Sequence, residues 1–163
     1  MTRTLYIFSL VLFFLLLAFQ SIIIPLISIL GVVPDLILIL LVYFTLRMGQ
    51  MHGTILGFVY GFLLDLITGN IFGSAMIAKT LSGFVAGYFF NENKLDIYFK
   101  SVGFTLIVLL CASIDSFIFS FFSSVDLEKS ILLRFFEQGL FPGIYTAVIS
   151  FIVVMFHPRR NPF

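Results

Sequence analysis

Charged side chains are what this chain most lacks. Only 10% of its 163 residues are Asp, Glu, Lys or Arg, while 61% are hydrophobic. So few charges cannot cover a water-facing surface, which excludes a soluble globular domain and makes lipid the implied solvent. The net charge of +1 comes with no basic patch, so nucleic acid is excluded as a partner. A lone cysteine, Cys111, excludes an internal disulfide; in its apolar run it reads as an inert buried thiol. His52 and His157 stand in no metal-ligand spacing and read as residues that help to set helix ends. No glycine loop of the phosphate-binding kind occurs, because the glycines lie in apolar helix. No nucleophile–base pair is evident either. The chain is therefore expected not to be an enzyme, and no cofactor or metal is implied.

What is present is hydrocarbon-length apolar sequence. A spanning helix takes about 20 apolar residues, and such stretches fall at about 5–24, 33–46, 53–67, 72–90, 99–122 and 139–156. The expectation is an all-α polytopic membrane protein, with about six transmembrane helices in one compact bundle and a single domain over residues 1–163. Arg3 before an apolar run resembles a signal peptide, but no small-residue cleavage site follows, so the first span is read as retained. Pro25 and Gly31 should break the chain after it. Pro34 restarts it in a first helical turn, with Asp35 suited to the positive end of the helix dipole. Spans two and three are short, with an earlier start at Met48 open for span three, and a re-entrant pair is the alternative to two full crossings.

Basic residues orient the bundle. With an even number of spans, Arg3, Arg47, Lys94, Lys100, Arg159 and Arg160 share one side, against Lys129 and Arg134 on the other. Both termini are therefore expected in the cytoplasm. The segment 125–138 differs in kind. Ile131, Leu132, Phe135 and Phe136 share one helical face, opposite Lys129, Arg134, Glu137 and Gln138, which describes an amphipathic interfacial helix started by Asp126. It serves either as a lid on the bundle or as a partner-docking surface.

Within the spans, two features stand out. The first is an i+4 row of small residues, Gly53, Gly57 and Gly61, answered by Gly83 and Gly87. Such rows let backbones approach closely where no hydrophobic effect drives helices together. They pack span three on span four, or one of them receives another protein's helix. The second is an intramembrane polar cluster of Asp35, Asp65, Lys79 and Asp115. A charge at mid-bilayer costs about 2.5–3.5 kcal/mol on translocon scales and usually faces a protein interior. Asp65, Lys79 and Asp115 lie at matched depth in the outer half, so Lys79 is expected to pair with Asp65 or Asp115. The readings open at this point are a register-fixing ion pair, a ligand- or ion-binding pocket, and contact with a partner helix.

The run Val33-Pro34-Asp35-Leu36, then Tyr43 and Arg47, then Gly57-Phe58-x-x-Gly61-x-x-x-Asp65-x-x-x-Gly69, Phe72-Gly73 and Lys79-x-x-x-Gly83, resembles the rod shape-determining protein MreD family. The resemblance covers about residues 32–90; the remaining spans are similar in hydropathy only. It implies a non-catalytic, multi-pass protein of the bacterial plasma (inner) membrane, acting in the cell-elongation complex. By the resemblance it would scaffold an MreC-like bitopic membrane protein and lateral peptidoglycan synthesis, beside MreB, RodA and a class B penicillin-binding protein. Asp35, Arg47 and Asp65 match recurrent polar positions of the family, with fold-defining or partner-facing roles. The resemblance also implies a six-helix plan similar to the membrane substrate-binding subunits of energy-coupling-factor transporters. A small-molecule-binding membrane subunit of a transporter is accordingly the alternative function.

Overall fold

The computed structural model describes residues 2–27, 34–69, 71–91, 102–123 and 140–156. These residues form six α-helices: α1 (Thr2–Ile27), α2 (Leu36–Met48), α3 (Gln50–Thr68), α4 (Ser74–Gly87), α5 (Val102–Ser123) and α6 (Phe141–Phe156). The fold is an all-α bundle. Three helices are long and apolar enough to cross a membrane, over Leu5–Ile22, Gln50–Thr68 and Val102–Phe122, and α2 and α6 are shorter apolar helices. At 1.5 Å per residue, the 13 residues of α2 reach about 20 Å, against about 30 Å of hydrocarbon. The amphipathic segment expected at 125–138 lies outside the described residues.

The helix sequences explain their places. Helix α2 is apolar on every side, and a helix of that kind belongs inside a larger structure or in lipid. Here it is the central post, touching each of the other five helices. One face, through Leu38, Val42 and Leu46, packs on Phe104, Val108 and Cys111 of α5. The opposite face, through Ile37, Leu41 and Phe44, packs on Phe13 of α1 and on Leu56 and Tyr60 of α3. Helix α1 is equally apolar but peripheral, with Ile7, Phe8, Val11 and Leu15 turned outward. It is attached by Phe13 stacked on Tyr60, with ring centroids 4.7 Å apart, by the Tyr60 hydroxyl, which donates to the Ser9 carbonyl at 3.1 Å, and by Tyr6, Leu10 and Leu17 packed against the same core.

Two boundaries differ from the sequence expectation. The first helix runs through Pro25 to Ile27 rather than stopping before the proline. Proline there removes one backbone N–H from the helix ladder. Helices α2 and α3 are separated by one residue, Gly49, so α3 begins at Gln50, before Gly53 and close to the earlier start open at Met48. Gly49 has φ 93° and ψ 172°, a region open essentially to glycine alone. Its N–H donates to the Thr45 carbonyl at 2.9 Å, closing α2 in the act of opening α3.

The most extensive helix contact is the antiparallel α3–α4 pair. The glycine rows create it. A methyl group on Gly57 would run into the Lys79 carbonyl, one on Gly61 into the Ala75 carbonyl and the Met76 Cα, and one on Gly83 into the Gly53 carbonyl. Gly87 meets Gln50 in the same way, and Gly53 also receives the Thr45 side chain from α2. Backbone therefore lies on backbone along the whole seam. Both glycine faces are occupied by this chain's own helices, which leaves no open groove there for a partner.

Candidate functional site

The seam ends in the polar residues, and it sorts them into two groups. Lys79 stands on α4 and is 4% exposed. Side chains on a helix lean toward its N-terminus, so the ammonium is delivered about one turn below its own Cα. There it meets two carboxylates. Asp35 Oδ2, at the start of α2, accepts from Lys79 Nζ. Asp115 Oδ2, on α5, accepts from the same nitrogen at 2.5 Å. One ammonium thus sits between two carboxylates from helices on either side of it.

Each carboxylate is held by further bonds. The Oδ1 atom of Asp35 accepts from the Leu38 N–H at 2.9 Å, so the residue is at once the N-cap of α2 and an ion partner. The Asp35 N–H donates to the Thr146 hydroxyl of α6 at 3.1 Å, and that hydroxyl donates on to the Pro142 carbonyl at 2.9 Å. The Ser82 hydroxyl donates to the Cys111 carbonyl at 3.2 Å and lies 3.5 Å from Asp115 Oδ1. Four helices, α2, α4, α5 and α6, are thereby joined through one cluster. Thr146 and Ser82 are members that sequence reasoning missed. Their only signal is a small hydroxyl in an otherwise apolar helix, which many spans carry without such a role.

Asp65 stands apart and corrects the pairing expected with Lys79. Its carboxylate accepts from the backbone N–H groups of Gly73 at 2.9 Å, Ala75 at 3.1 Å and Met76 at 3.1 Å. The Ser74 hydroxyl lies 3.5 Å from it. The cause is local. Helix α4 begins after Gly73, which has φ 102° and no side chain with which to cap. The unsatisfied amides of a helix start need an acceptor, and Asp65 supplies it from the last turns of α3. A carboxylate there also complements the positive end of the α4 dipole. Asp65 is a cap donated across a hairpin.

Arg47 lies at the far end of α2 from Asp35. It is exposed, and its guanidinium carbon sits 4.7 Å from the centre of the Tyr43 ring. In the last turn of a helix a cation is favourably placed against the dipole.

Chemically, the arrangement is one of shared bonding, with one ammonium serving two carboxylates. Asp35, Lys79 and Asp115 are each already bonded to groups of this chain, and Asp65 is filled by amides. Among the described residues no group of three or more His, Cys, Asp or Glu is placed to hold a metal ion.

A family model described as rod shape-determining protein MreD matches residues 1–159 of the chain. No curated protein and no solved structure matches it.

Proposed function

The chain belongs to the rod shape-determining protein MreD family, and on that premise we propose that it is a non-catalytic subunit of the cell-elongation complex, scaffolding an MreC-like bitopic partner and lateral peptidoglycan synthesis. The family and the apolar helices make it a rod-shape-determining membrane protein. The finer reading places it in the bacterial inner membrane with both termini in the cytoplasm. MreB, RodA and a class B penicillin-binding protein would belong to the same assembly.

One observation supports a scaffold over a chemical role. The buried charges Asp65, Lys79 and Asp115, with the partly buried Asp35, hold helices together among the described residues. Asp65 caps α4, while Asp35 and Asp115 clasp Lys79. Such a bundle keeps its shape and presents apolar outer faces, which is what a membrane platform for other helices requires.

The test is in-cell site-specific crosslinking from outward positions of α1, α5 and α6 and from the segment 125–138, in a rod-shaped bacterium depleted of its own copy. Crosslinks to a single-span partner, together with rounding on depletion and recovery on re-expression, support the proposal. Rods that persist without the protein, or saturable stabilisation of the purified protein by a vitamin in place of any wall-machinery crosslink, would overturn it in favour of a transporter subunit.

A further inference from the structure

The ionic cluster is uneven by one charge. Two carboxylates, Asp35 and Asp115, meet the single ammonium of Lys79. With all three ionised, the set would hold one surplus negative charge inside the bundle. The two acids are not equally able to carry it. The Asp35 side chain is 27% exposed and within reach of water, whereas that of Asp115 is 7% exposed. A charge shut away from water without its own counter-ion is costly, and a buried acid escapes the cost by taking up a proton.

The hydrogen bonds single out one oxygen. Asp35 Oδ1 accepts from the Leu38 N–H, while Asp35 Oδ2 and Asp115 Oδ2 both accept from Lys79 Nζ. Asp115 Oδ1 has no N–H donor among the described residues. Its neighbour is the Ser82 hydroxyl, 3.5 Å away. A serine has one proton to give, and that of Ser82 goes to the nearer Cys111 carbonyl, at 3.2 Å. An ionised Asp115 Oδ1 would therefore face an oxygen lone pair. A protonated Oδ1 turns the same contact into a donor–acceptor pair and completes a chain, in which Asp115 donates to Ser82 and Ser82 donates to Cys111.

We infer that the Asp35–Lys79–Asp115 cluster is a proton-binding site, with the proton on Asp115 Oδ1 at neutral pH. Binding takes one proton from solvent and makes the set neutral. Lys79 and Asp35 remain an ion pair, and Asp115 Oδ2 still accepts from the ammonium. Among the described residues, the charged and titratable groups that face Asp115 are Lys79 from α4, Asp35 from α2 and Cys111 from its own helix. Helix α6 reaches the cluster through the Thr146 hydroxyl, and Asp65 of α3 is turned to the α4 amides. Loss of the proton would set two carboxylates against one ammonium, so the clasp between α4 and α5 is built to loosen in alkali. The site stands whether or not the bundle carries a partner.

Infrared spectroscopy of the full-length protein in an ester-free maltoside detergent tests this, because a protonated carboxyl group absorbs apart from carboxylate and amide bands. The expected result is such a band at neutral pH, shifted in heavy water and lost on alkaline titration. Asp115→Asn has the shape and the hydrogen-bonding groups of the protonated acid. It should lose the band with helix content by circular dichroism unchanged. Asp35→Asn removes the surplus charge, so the band should be lost there too, although Asp115 is intact. Ser82→Ala removes the acceptor, so the band should persist at higher frequency. Absence of the band at neutral pH, its survival in Asp115→Asn or Asp35→Asn, or an unchanged frequency in Ser82→Ala would overturn the proposal. So would a band that appears only when sodium ions are withheld, which would put a metal cation in the place of the proton.

Discussion

Lys79→Met is the sharpest test of the ionic cluster. Methionine keeps an unbranched apolar stem but removes the ammonium. Asp35 and Asp115 are then left facing one another with no cation between them. Removing one member of a buried ion pair costs about 3–5 kcal/mol, because the remaining charge is stranded. Lys79 serves two carboxylates and is 4% exposed, so the upper part of that range is expected. The same reasoning makes a second, less intuitive demand. Replacing a whole buried ionic set with neutral groups is often neutral or stabilising. The triple variant Lys79→Met, Asp35→Asn, Asp115→Asn should therefore be more stable than Lys79→Met alone, by about 2 kcal/mol or more. Equilibrium unfolding in mixed micelles by titration with sodium dodecyl sulfate, followed by circular dichroism, measures both. A Lys79→Met protein within about 0.5 kcal/mol of the parent, the scatter of neutral surface changes, would refute the argument. A triple variant no better than the single would refute it too.

The cap donated by Asp65 predicts that Asp65→Ala costs roughly 3 kcal/mol, taking about 1 kcal/mol for each of three amides left without an acceptor; hydrogen exchange should accelerate at Gly73, Ala75 and Met76. At Asp35 the two roles can be separated, because Asn keeps a capping oxygen and Ala does not. Asp35→Ala should be about 1 kcal/mol less stable than Asp35→Asn in the same unfolding assay. Gly57→Ala and Gly61→Ala each push a methyl into α4 backbone, so each should cost at least the 1–3 kcal/mol typical of overpacking. Gly69→Asn, at a left-handed C-cap with open space around it, should be close to neutral in that titration.

Sequence and structure part company in an instructive place. The glycine seam was legible because i+4 spacing is a property of one helix, and small residues on two neighbouring helices have few other uses. Lys79 was legible as a buried cation that needs a partner at its own depth. Which carboxylate answers it was not. Asp65 stands at a matching depth and near in sequence, but its acceptors are filled by amides that exist only because the turn at Gly73 leaves α4 uncapped. Asp35 looked like a helix-start residue and is one. Its second bond to Lys79 depends on the parallel course of α2 and α4 and on the lysine stem leaning toward the α4 N-terminus. Neither is written in a hydropathy pattern. The central place of α2 was likewise hidden, since an all-round apolar helix reads the same whether it faces lipid or five other helices, as α1 and α2 show.

The order in which the clustered charges are synthesised carries a consequence for biogenesis. Asp35 leaves the ribosome before Lys79, so the emerging lysine finds one counter-ion already in place within the first four helices. Asp115 follows 36 residues later, and Thr146 later still. A nascent chain halted after α4 is electrically balanced at this point and can rest in the bilayer. The arrival of α5 brings a second carboxylate, which among the described residues pairs with this same lysine. The pairing with Lys79 gives α5 one electrostatic docking position against the first four helices, and the Thr146 bond to Asp35 ties α6 to the same point.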